Sequence, residues 1–243
     1  MVYQTEFAGH SLRYSFKKPN TRYFFRPIPR RVEQNEYDLR LTEEQFSRMR
    51  KLVPPTSTDS YTEYRALIAP TARKLLHWDC CILHAVSFVY REKAWLLIGP
   101  SGIGKSTQYF NWQRLFPGEI TMISGDMPVI ELRKDAFWIH PSPWNGKERV
   151  CSRLSAPLGG LVLLSQEGEN RMERVTEKEM ILPVLIHLLA RPEEEWEARA
   201  IARIVDGMLR NAACWKLANK GDDDSTALLR GRIGEEADLR GRA

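Results

Sequence analysis

The stretch that decides the fold is Gly99-Pro-Ser-Gly-Ile-Gly-Lys-Ser-Thr107. Its glycines, lysine and hydroxyl residue have the spacing of a phosphate-binding loop. Glycine lets successive backbone N–H groups turn inward toward phosphate oxygens, Lys105 supplies a mobile positive charge, and Ser106 offers a hydroxyl to Mg²⁺. We therefore predict that this loop binds a nucleoside triphosphate with Mg²⁺. The predicted nucleotide ligands are Gly99, Ser101, Gly102, Ile103, Gly104, Lys105, Ser106 and Thr107.

The sequence on both sides of the loop supports this interpretation. An apolar strand, Trp95–Ile98, is predicted before it, and a helix-compatible run follows and ends near Phe116. A strand before the loop and a helix after it form the context that the motif requires. The positive end of that helix adds to the field that attracts phosphate.

Asp126 is the predicted second half of a magnesium site. It comes directly after a predicted strand, Ile120-Thr-Met-Ile-Ser124, and Gly125. A carboxylate at the end of a neighbouring strand commonly completes a site that starts with one loop hydroxyl. The alternative is an aspartate that forms a turn before Pro128.

Residues 1–55 are predicted to be a β-rich segment with one helix, and a possible partner-binding subdomain. Ser11–Lys17 alternates apolar and polar residues, and Thr21–Phe25 is aromatic and β-prone. Thr42 is a candidate helix cap, and Pro54-Pro55 ends that helix. The predicted boundary lies here, with a phosphate-loop domain over residues 56–243.

The second region has the pattern of a mixed α/β sheet. A helix is predicted over 62–77, kinked or divided by Pro70, and another over about 193–212. A last helix is predicted from about Asp222, with a loose charged tail after Gly231. A turn at 91–93 joins the first two strands, and the strands at 129–132 and 136–139 form a hairpin. The predicted strands are 81–89, 94–98, 120–124, 129–132, 136–139, 160–164 and 214–217.

Composition restricts the class of protein. The chain has 243 residues, 43% of them hydrophobic, and no stretch of about 20 apolar residues that could cross a bilayer. The N-terminus lacks the features of a signal peptide, so we expect a cytoplasmic protein with no membrane contact. Net charge is +5, with basic pairs such as Lys17-Lys18 and Arg30-Arg31, but no nucleic-acid motif accompanies them, which makes nucleic acid an unlikely partner. The four cysteines match no zinc pattern and are expected to be buried free thiols.

Several blocks resemble the group that contains HPr serine kinase and phosphoenolpyruvate carboxykinase. Leu83-His84-Ala85 precedes a strand hairpin and the glycine-rich loop, as in that group. The likeness covers about residues 62–233 and is greatest to short stand-alone HPr-kinase-like proteins associated with peptide modification. The other matching blocks are Ile123-Ser-Gly-Asp-Met-Pro-Val-Ile130, Ser142-Pro-Trp-Asn-Gly-Lys-Glu148, Pro157-Leu-Gly-Gly-Leu-Val-Leu-Leu-Ser-Gln-Glu-Gly-Glu-Asn170 and, weakly, Cys214-Trp-Lys-Leu-Ala-Asn219.

The resemblance implies a fold and a set of roles. It implies a mixed β-sheet domain of that type, in which Lys105 and Ser106 bind phosphate and metal. Asp126 would hold Mg²⁺, take the proton from an attacking hydroxyl, or both, and His84 would be its hydrogen-bonding or proton-handling partner. Two departures are visible: Gly125 stands where HPr kinases commonly have a first aspartate, and Thr107 where they have glutamate. A single carboxylate must then serve both metal and proton, or the base comes from elsewhere.

A second loop, Pro141-Ser-Pro-Trp-Asn-Gly-Lys-Glu148, is a possible substrate or phosphate loop. Lys147 or Arg149 could stabilise transferred phosphate, and Trp144 could exclude water or stack on a base. The alternative for each is a structural turn with solvated charges. Glu167, Glu169 and Asn170 follow a buried strand and could line the same cleft.

The leading hypothesis is therefore phosphoryl transfer from ATP to a serine or threonine hydroxyl of a peptide or small protein. The basic N-terminal segment would help to grip an acidic peptide. Two alternatives stay open: a small-molecule kinase, and a nucleotide-binding regulatory or scaffold module with little or no transfer activity. Adenine is favoured over guanine by the resemblance alone, and relatives of this type often form homo-oligomers.

Overall fold

The computed structural model describes residues 2–25, 37–144 and 152–240. These residues form a mixed α/β fold. The strands are β1 (Val2–Phe7), β2 (His10–Ser15), β3 (Tyr37–Leu39), β4 (Cys80–Ile82), β5 (Ala85–Tyr90), β6 (Lys93–Ile98), β7 (Thr121–Ser124), β8 (Val129–Arg133), β9 (Ala136–His140), β10 (Ala156–Gln166), β11 (Arg171–Arg174) and β12 (Ala213–Asn219). The α-helices are α1 (Glu43–Arg50), α2 (Asp59–Ala66), α3 (Ile68–Leu75), α4 (Lys105–Leu115), α5 (Glu177–His187), α6 (Glu195–Asn211) and α7 (Asp223–Arg240).

The larger sheet has nine strands and curls around β10. Its order is β4-β8-β9-β10-β6-β5-β7, with β12 on the other side of β10 and β11 beside β12. Ala156 and Pro157, at the start of β10, pair with β9, whereas the rest of the strand pairs in parallel with β6 and β12. The sheet is therefore mixed, as the sequence predicts.

The pairing brings one end of several strands to a common edge of the sheet. Ala85 at the start of β5 is opposite Ile98 at the end of β6, and Ser87 is opposite Ser124 at the end of β7. Because neighbouring strands lie about 4.8 Å apart, the segments that leave β6 and β7 are about two strand spacings from each other. The residues after β10 and β12 reach the same edge, since both strands run parallel to β6.

The N-terminal sheet, β1-β2-β3, shares its core with the rest of the chain. Phe7 and Tyr14 belong to the same buried apolar cluster as Trp144 and Ile82. The Tyr14 hydroxyl is 2.9 Å from the Thr71 hydroxyl in α3. The boundary near residue 55 remains a prediction, and one continuous core extends across it.

The prediction of a strand at Thr21–Phe25 is wrong. Residues Thr21–Phe24 form a 3₁₀ turn because Glu63 of α2 holds the chain there. Its carboxylate accepts hydrogen bonds from the backbone N–H groups of Lys17 and Lys18, at 2.7 and 3.0 Å, and from the Thr21 hydroxyl. A buried carboxylate needs such partners, and they fix the chain in a turn rather than a strand.

Two predicted elements are each divided in the structure. The helix predicted over 62–77 is α2 and α3, separated at Leu67, so Pro70 lies in the first turn of α3, where a backbone N–H has no helical partner to lose. The strand predicted over 81–89 is β4 and β5. Its break at Leu83 and His84 occurs where these residues pair with Leu188, just after α5, and with His187, the last residue of α5.

The tail after Gly231 is not loose, as the sequence suggested, but continues α7 to Arg240. Ile233 is fully buried, and the Arg174 guanidinium donates to the buried Glu236 carboxylate at 2.6 Å. Other local predictions are confirmed: the Thr42 cap of α1, the β8–β9 hairpin and the helix α6.

Cys80, Cys81 and Cys214 are buried free thiols, as predicted, and Cys151 lies outside the described residues. Burial raises the pKa of Cys81 to about 12, so this thiol is unreactive at neutral pH. No helix in the described ranges combines the length and apolar character needed to span a bilayer.

Candidate functional site

The glycine-rich loop joins β6 to α4 at the sheet edge described above. Gly99 has a φ of +148°, and a Cβ placed on it would lie 3.0 Å from the Ile103 side chain and 3.1 Å from the Leu164 carbonyl oxygen. Gly104, which precedes α4, has a φ of +104°. Residues other than glycine rarely adopt these backbone angles. The glycines therefore permit both the turn and the close approach of the loop to β10.

Lys105 begins α4 and turns its side chain back over the loop. It is 8% exposed, and its Nζ donates hydrogen bonds to the carbonyl oxygens of Gly99 at 2.8 Å and Pro100 at 3.0 Å. Ser106 is half-buried and Thr107 is exposed. The loop thus carries a positive charge at its centre and a helix N-terminus at its end, both of which favour phosphate.

Helix α4 is fixed in place by buried polar contacts to α7. The Gln108 side chain donates to the Ser225 hydroxyl at 2.7 Å and accepts from the Thr226 hydroxyl at 2.8 Å. Because Gln108 lies one turn after Lys105, these bonds also fix the direction in which the loop's backbone N–H groups point.

His84 and Asp126 are in direct contact, as the resemblance implied. His84 Nε2 lies 3.2 Å from Asp126 Oδ1, with side chains 28% and 24% exposed. The Ala85 backbone N–H donates to the Asp126 carbonyl oxygen at 2.8 Å, which ties the end of β7 to the start of β5. Both side chains are partly open to solvent. Backbone hydrogen bonds fix the positions of both residues, from the His84 N–H to His187 and from the Ala85 N–H to Asp126.

His187, which the sequence did not single out, belongs to the same cluster. It ends α5, its carbonyl oxygen accepts the His84 backbone N–H at 2.8 Å, and the two imidazole centroids are 5.9 Å apart. Burial, and then the neighbouring His84 and Lys105, lower the pKa of His187. The only sequence signal was a lone histidine after a run of apolar residues, which is typical of a core position.

The second predicted loop is described only at its start. Trp144 is fully buried, with its ring centroid 5.5 Å from that of Phe7 and 5.5 Å from that of Phe25. With no exposed surface, this indole has no face available for a nucleotide base, and its contacts are those of a core residue. Lys147 and Arg149 lie outside the described residues.

The polar residues after β10 reach the common edge, where they bond to β10 and to the segment after β12. Glu167 and Glu169 are exposed, and Glu167 accepts from the Ser165 hydroxyl at 2.8 Å. Asn170 donates to Asp222 at 2.8 Å and accepts from the Lys220 backbone N–H at 2.9 Å. Asn170 therefore stabilises the turn between β12 and α7.

That turn, Asn219-Lys-Gly-Asp222, has the order Asn-Lys-x-Asp that is typical of guanine-reading loops. Asn219 is buried and donates to the Ser165 carbonyl oxygen at 2.8 Å. Asp222 accepts from the Ser225 backbone N–H at 2.9 Å and so caps α7. Asn219 and Asp222, the two ends of the pattern, therefore both make structural hydrogen bonds.

The donor set suits magnesium only together with a substrate. No group of three or more metal-binding side chains occurs among residues 2–25, 37–144 and 152–240. Ser106 and Asp126 offer one hydroxyl and one carboxylate, both oxygen donors. Mg²⁺ commonly keeps several waters and takes phosphate oxygens alongside one or two carboxylates, so the two residues fit it.

Compared with known protein families and with characterised proteins, the chain matches none.

Proposed function

We propose that this protein transfers the γ-phosphoryl group of ATP to a serine or threonine hydroxyl of a peptide or small protein. The observation that carries the proposal is the 3.2 Å contact between His84 Nε2 and Asp126 Oδ1, at the sheet edge where the glycine-rich loop begins. A phosphate-binding loop beside a histidine–carboxylate pair supplies the two requirements of phosphoryl transfer, charge neutralisation and a proton acceptor. The resemblance to the HPr kinase group supplies the acceptor class and the finer fold type.

The loop binds the nucleotide in this proposal. Backbone N–H groups of residues 101–106 contact the phosphates, and Lys105 exchanges its bonds to the Gly99 and Pro100 carbonyl oxygens for the β- and γ-phosphates. Ser106 and Asp126 would hold Mg²⁺, which neutralises charge on the phosphates when it is bound.

Asp126 and His84 handle the proton. The acceptor's hydroxyl oxygen forms a bond to the γ-phosphorus, the bond from that phosphorus to the β–γ bridging oxygen breaks, and ADP leaves. The hydroxyl proton passes to the Asp126 carboxylate. His84 orients that carboxylate through Nε2, while its own backbone is fixed by the bond to His187. One carboxylate performs the work because Gly125 offers no second one.

Two basic residues of the N-terminal segment, which the sequence offered for an acidic peptide, already form ion pairs. The Lys17 ammonium pairs with Glu43 and that of Lys18 with Asp59, so neither charge is free for an acidic peptide. Arg30 and Arg31 lie outside the described residues. Deletion of residues 1–55 would also remove part of the shared core, so point changes at Arg30 and Arg31 are the better test of peptide binding.

Two other functions compete with this one. A nucleotide-binding scaffold is favoured by the single carboxylate, since Gly125 replaces the first aspartate of the related kinases. A small-molecule kinase would use the same loop and the same His84–Asp126 pair with a free hydroxyl compound as acceptor.

The test is transfer of label from γ-labelled ATP, and separately from γ-labelled GTP, to serine- and threonine-containing peptides. We expect Asp126→Asn to lower transfer by about 10²–10⁴-fold, because the substitution removes the proton acceptor. Asp135→Asn, the same chemical change in the exposed β8–β9 turn, is the matched control and should transfer at the normal rate. ATP binding without any transfer would favour the scaffold, and label on small hydroxyl compounds alone would favour the small-molecule kinase.

A further inference from the structure

His187 is a mostly buried side chain at the end of α5. It is 9% exposed, and none of the described residues forms a hydrogen bond with its ring. Its nitrogens are not among the fully enclosed polar atoms that lack a partner, so they remain accessible. The imidazole can therefore contact a ligand without giving up a hydrogen bond to the described residues.

His140 shows what a purely structural buried histidine looks like in this fold. It is 7% exposed, and both of its nitrogens are engaged, Nδ1 with the Ser155 hydroxyl at 2.8 Å and Nε2 with Glu131 at 2.9 Å. Burial is the largest cause of a lowered pKa in both histidines. The two residues thus share burial and differ in their partners.

The surroundings of His187 indicate which kind of ligand its imidazole would suit. Its ring lies edge-on to that of His84, and the charges of His84 and Lys105 both disfavour its protonation. Lys105 belongs to the glycine-rich loop and His84 to the pair with Asp126. The imidazole is therefore close to both the phosphate-binding residues and the proton-handling residues.

A neutral imidazole offers one N–H donor and one acceptor. In the proposed function, Lys105 contacts the β- and γ-phosphates and Asp126 receives the acceptor hydroxyl's proton. The γ-phosphoryl group is therefore located between these two residues during transfer. Its oxygens are hydrogen-bond acceptors. The N–H of a neutral histidine matches them without adding another cation beside Lys105.

We propose that His187 donates a hydrogen bond to a γ-phosphate oxygen of the bound nucleoside triphosphate. His187 then contacts the nucleoside triphosphate but not the diphosphate, and so makes the protein bind the triphosphate more tightly. This inference rests on the proposed function for the placement of the nucleotide, but it concerns binding and does not require turnover.

The experiment compares ATP and ADP affinity, both with Mg²⁺, by calorimetry. His187→Phe keeps an aromatic ring and removes both nitrogens, whereas His187→Gln keeps an N–H donor. We expect the phenylalanine variant to bind ATP about 10-fold more weakly, as for loss of a hydrogen bond to a charged group, with ADP affinity within about twofold of wild type. Glutamine should restore most of the ATP affinity. If the phenylalanine variant does not fold, His187→Leu replaces it.

His140→Gln is the matched control, since it changes the other buried histidine and should leave the ratio of ATP to ADP affinity unchanged. An unchanged ratio in His187→Phe, or an equal weakening of both nucleotides, would overturn the inference and leave His187 structural. A changed ratio in a protein that transfers no label would support the inference while the kinase proposal fails. Label transfer by the wild type with an unchanged ratio in the variant would reject the inference alone.

Discussion

The glycine-rich loop and the cluster of His84, Asp126 and His187 are built in opposite ways. The loop is one continuous stretch, and its shape follows from positive φ angles at its own glycines. The three cluster residues come from the start of β5, the end of β7 and the end of α5, and backbone hydrogen bonds between these elements bring them together. The proposed phosphate binding is therefore a local property of the sequence, whereas the proposed chemistry depends on the sheet register.

The largest expected effect tests the glycine-rich loop, the region whose shape is set by its own sequence. Lys105→Ala should weaken ATP binding by about 100-fold, because it removes a charge-assisted contact to the phosphates. Lys51→Ala, which removes an exposed lysine after α1, is the control and should bind normally. Calorimetry measures both variants. Normal ATP binding by Lys105→Ala would remove the basis for a phosphate-binding loop.

A smaller effect is expected on stability when the loop's backbone is strained. Gly99→Ala should lower the free energy of unfolding by about 2 kcal/mol, because alanine is strained at this φ and its methyl would contact Ile103 and the Leu164 carbonyl oxygen. Gly168→Ala is the matched control, since a Cβ there meets nothing within 4 Å. Chemical denaturation compares the two. Equal losses in both variants would show that the close approach of Gly99 to β10 is not a constraint.

The smallest expected effect is on the pH dependence of the free energy of unfolding, to which the cluster contributes and the loop does not. Because burial lowers the pKa of His187 below 6.5, the unfolded chain binds more protons than the folded one as the pH falls through 6.5. Stability contributed by the neutral imidazole is thus complete at pH 7.5 and declines toward pH 5.5. We expect stability to fall over this range, and to fall less steeply in His187→Gln.

Denaturation curves at pH 7.5 and 5.5 measure this difference. Gly99→Ala, a change in the loop, should keep the wild-type slope because it removes no group that titrates in this range. A wild-type slope in His187→Gln would mean that His187 is not held neutral by the fold.

Local sequence predicted the parts of the fold whose cause is local. The β8–β9 hairpin and the Thr42 cap follow from turn and capping residues next to them in the chain. Thr21–Phe25 and the tail after Gly231 were mispredicted because distant partners decide them. Glu63 holds the first in a turn, and the ion pair between Arg174 and Glu236 ties the second to β11.

The candidate site divides in the same way. The loop was readable from its spacing, and the resemblance placed His84 beside Asp126, which the structure brings into contact. His187 could not be found, because helical periodicity assigns a lone histidine in an apolar run to the core. The bond between its carbonyl oxygen and the His84 N–H, together with the contact between the two imidazole rings, reveals its position.

The shared core of the N-terminal sheet has a consequence for biosynthesis. Phe7 and Tyr14 are synthesised well before Trp144, against which both rings pack. At about 5–20 residues per second, β1 and β2 wait on the order of ten seconds for this partner. During that interval the parts of β1 and β2 that pack on Trp144 lack this partner, so both strands complete their packing only after residue 144 has been synthesised.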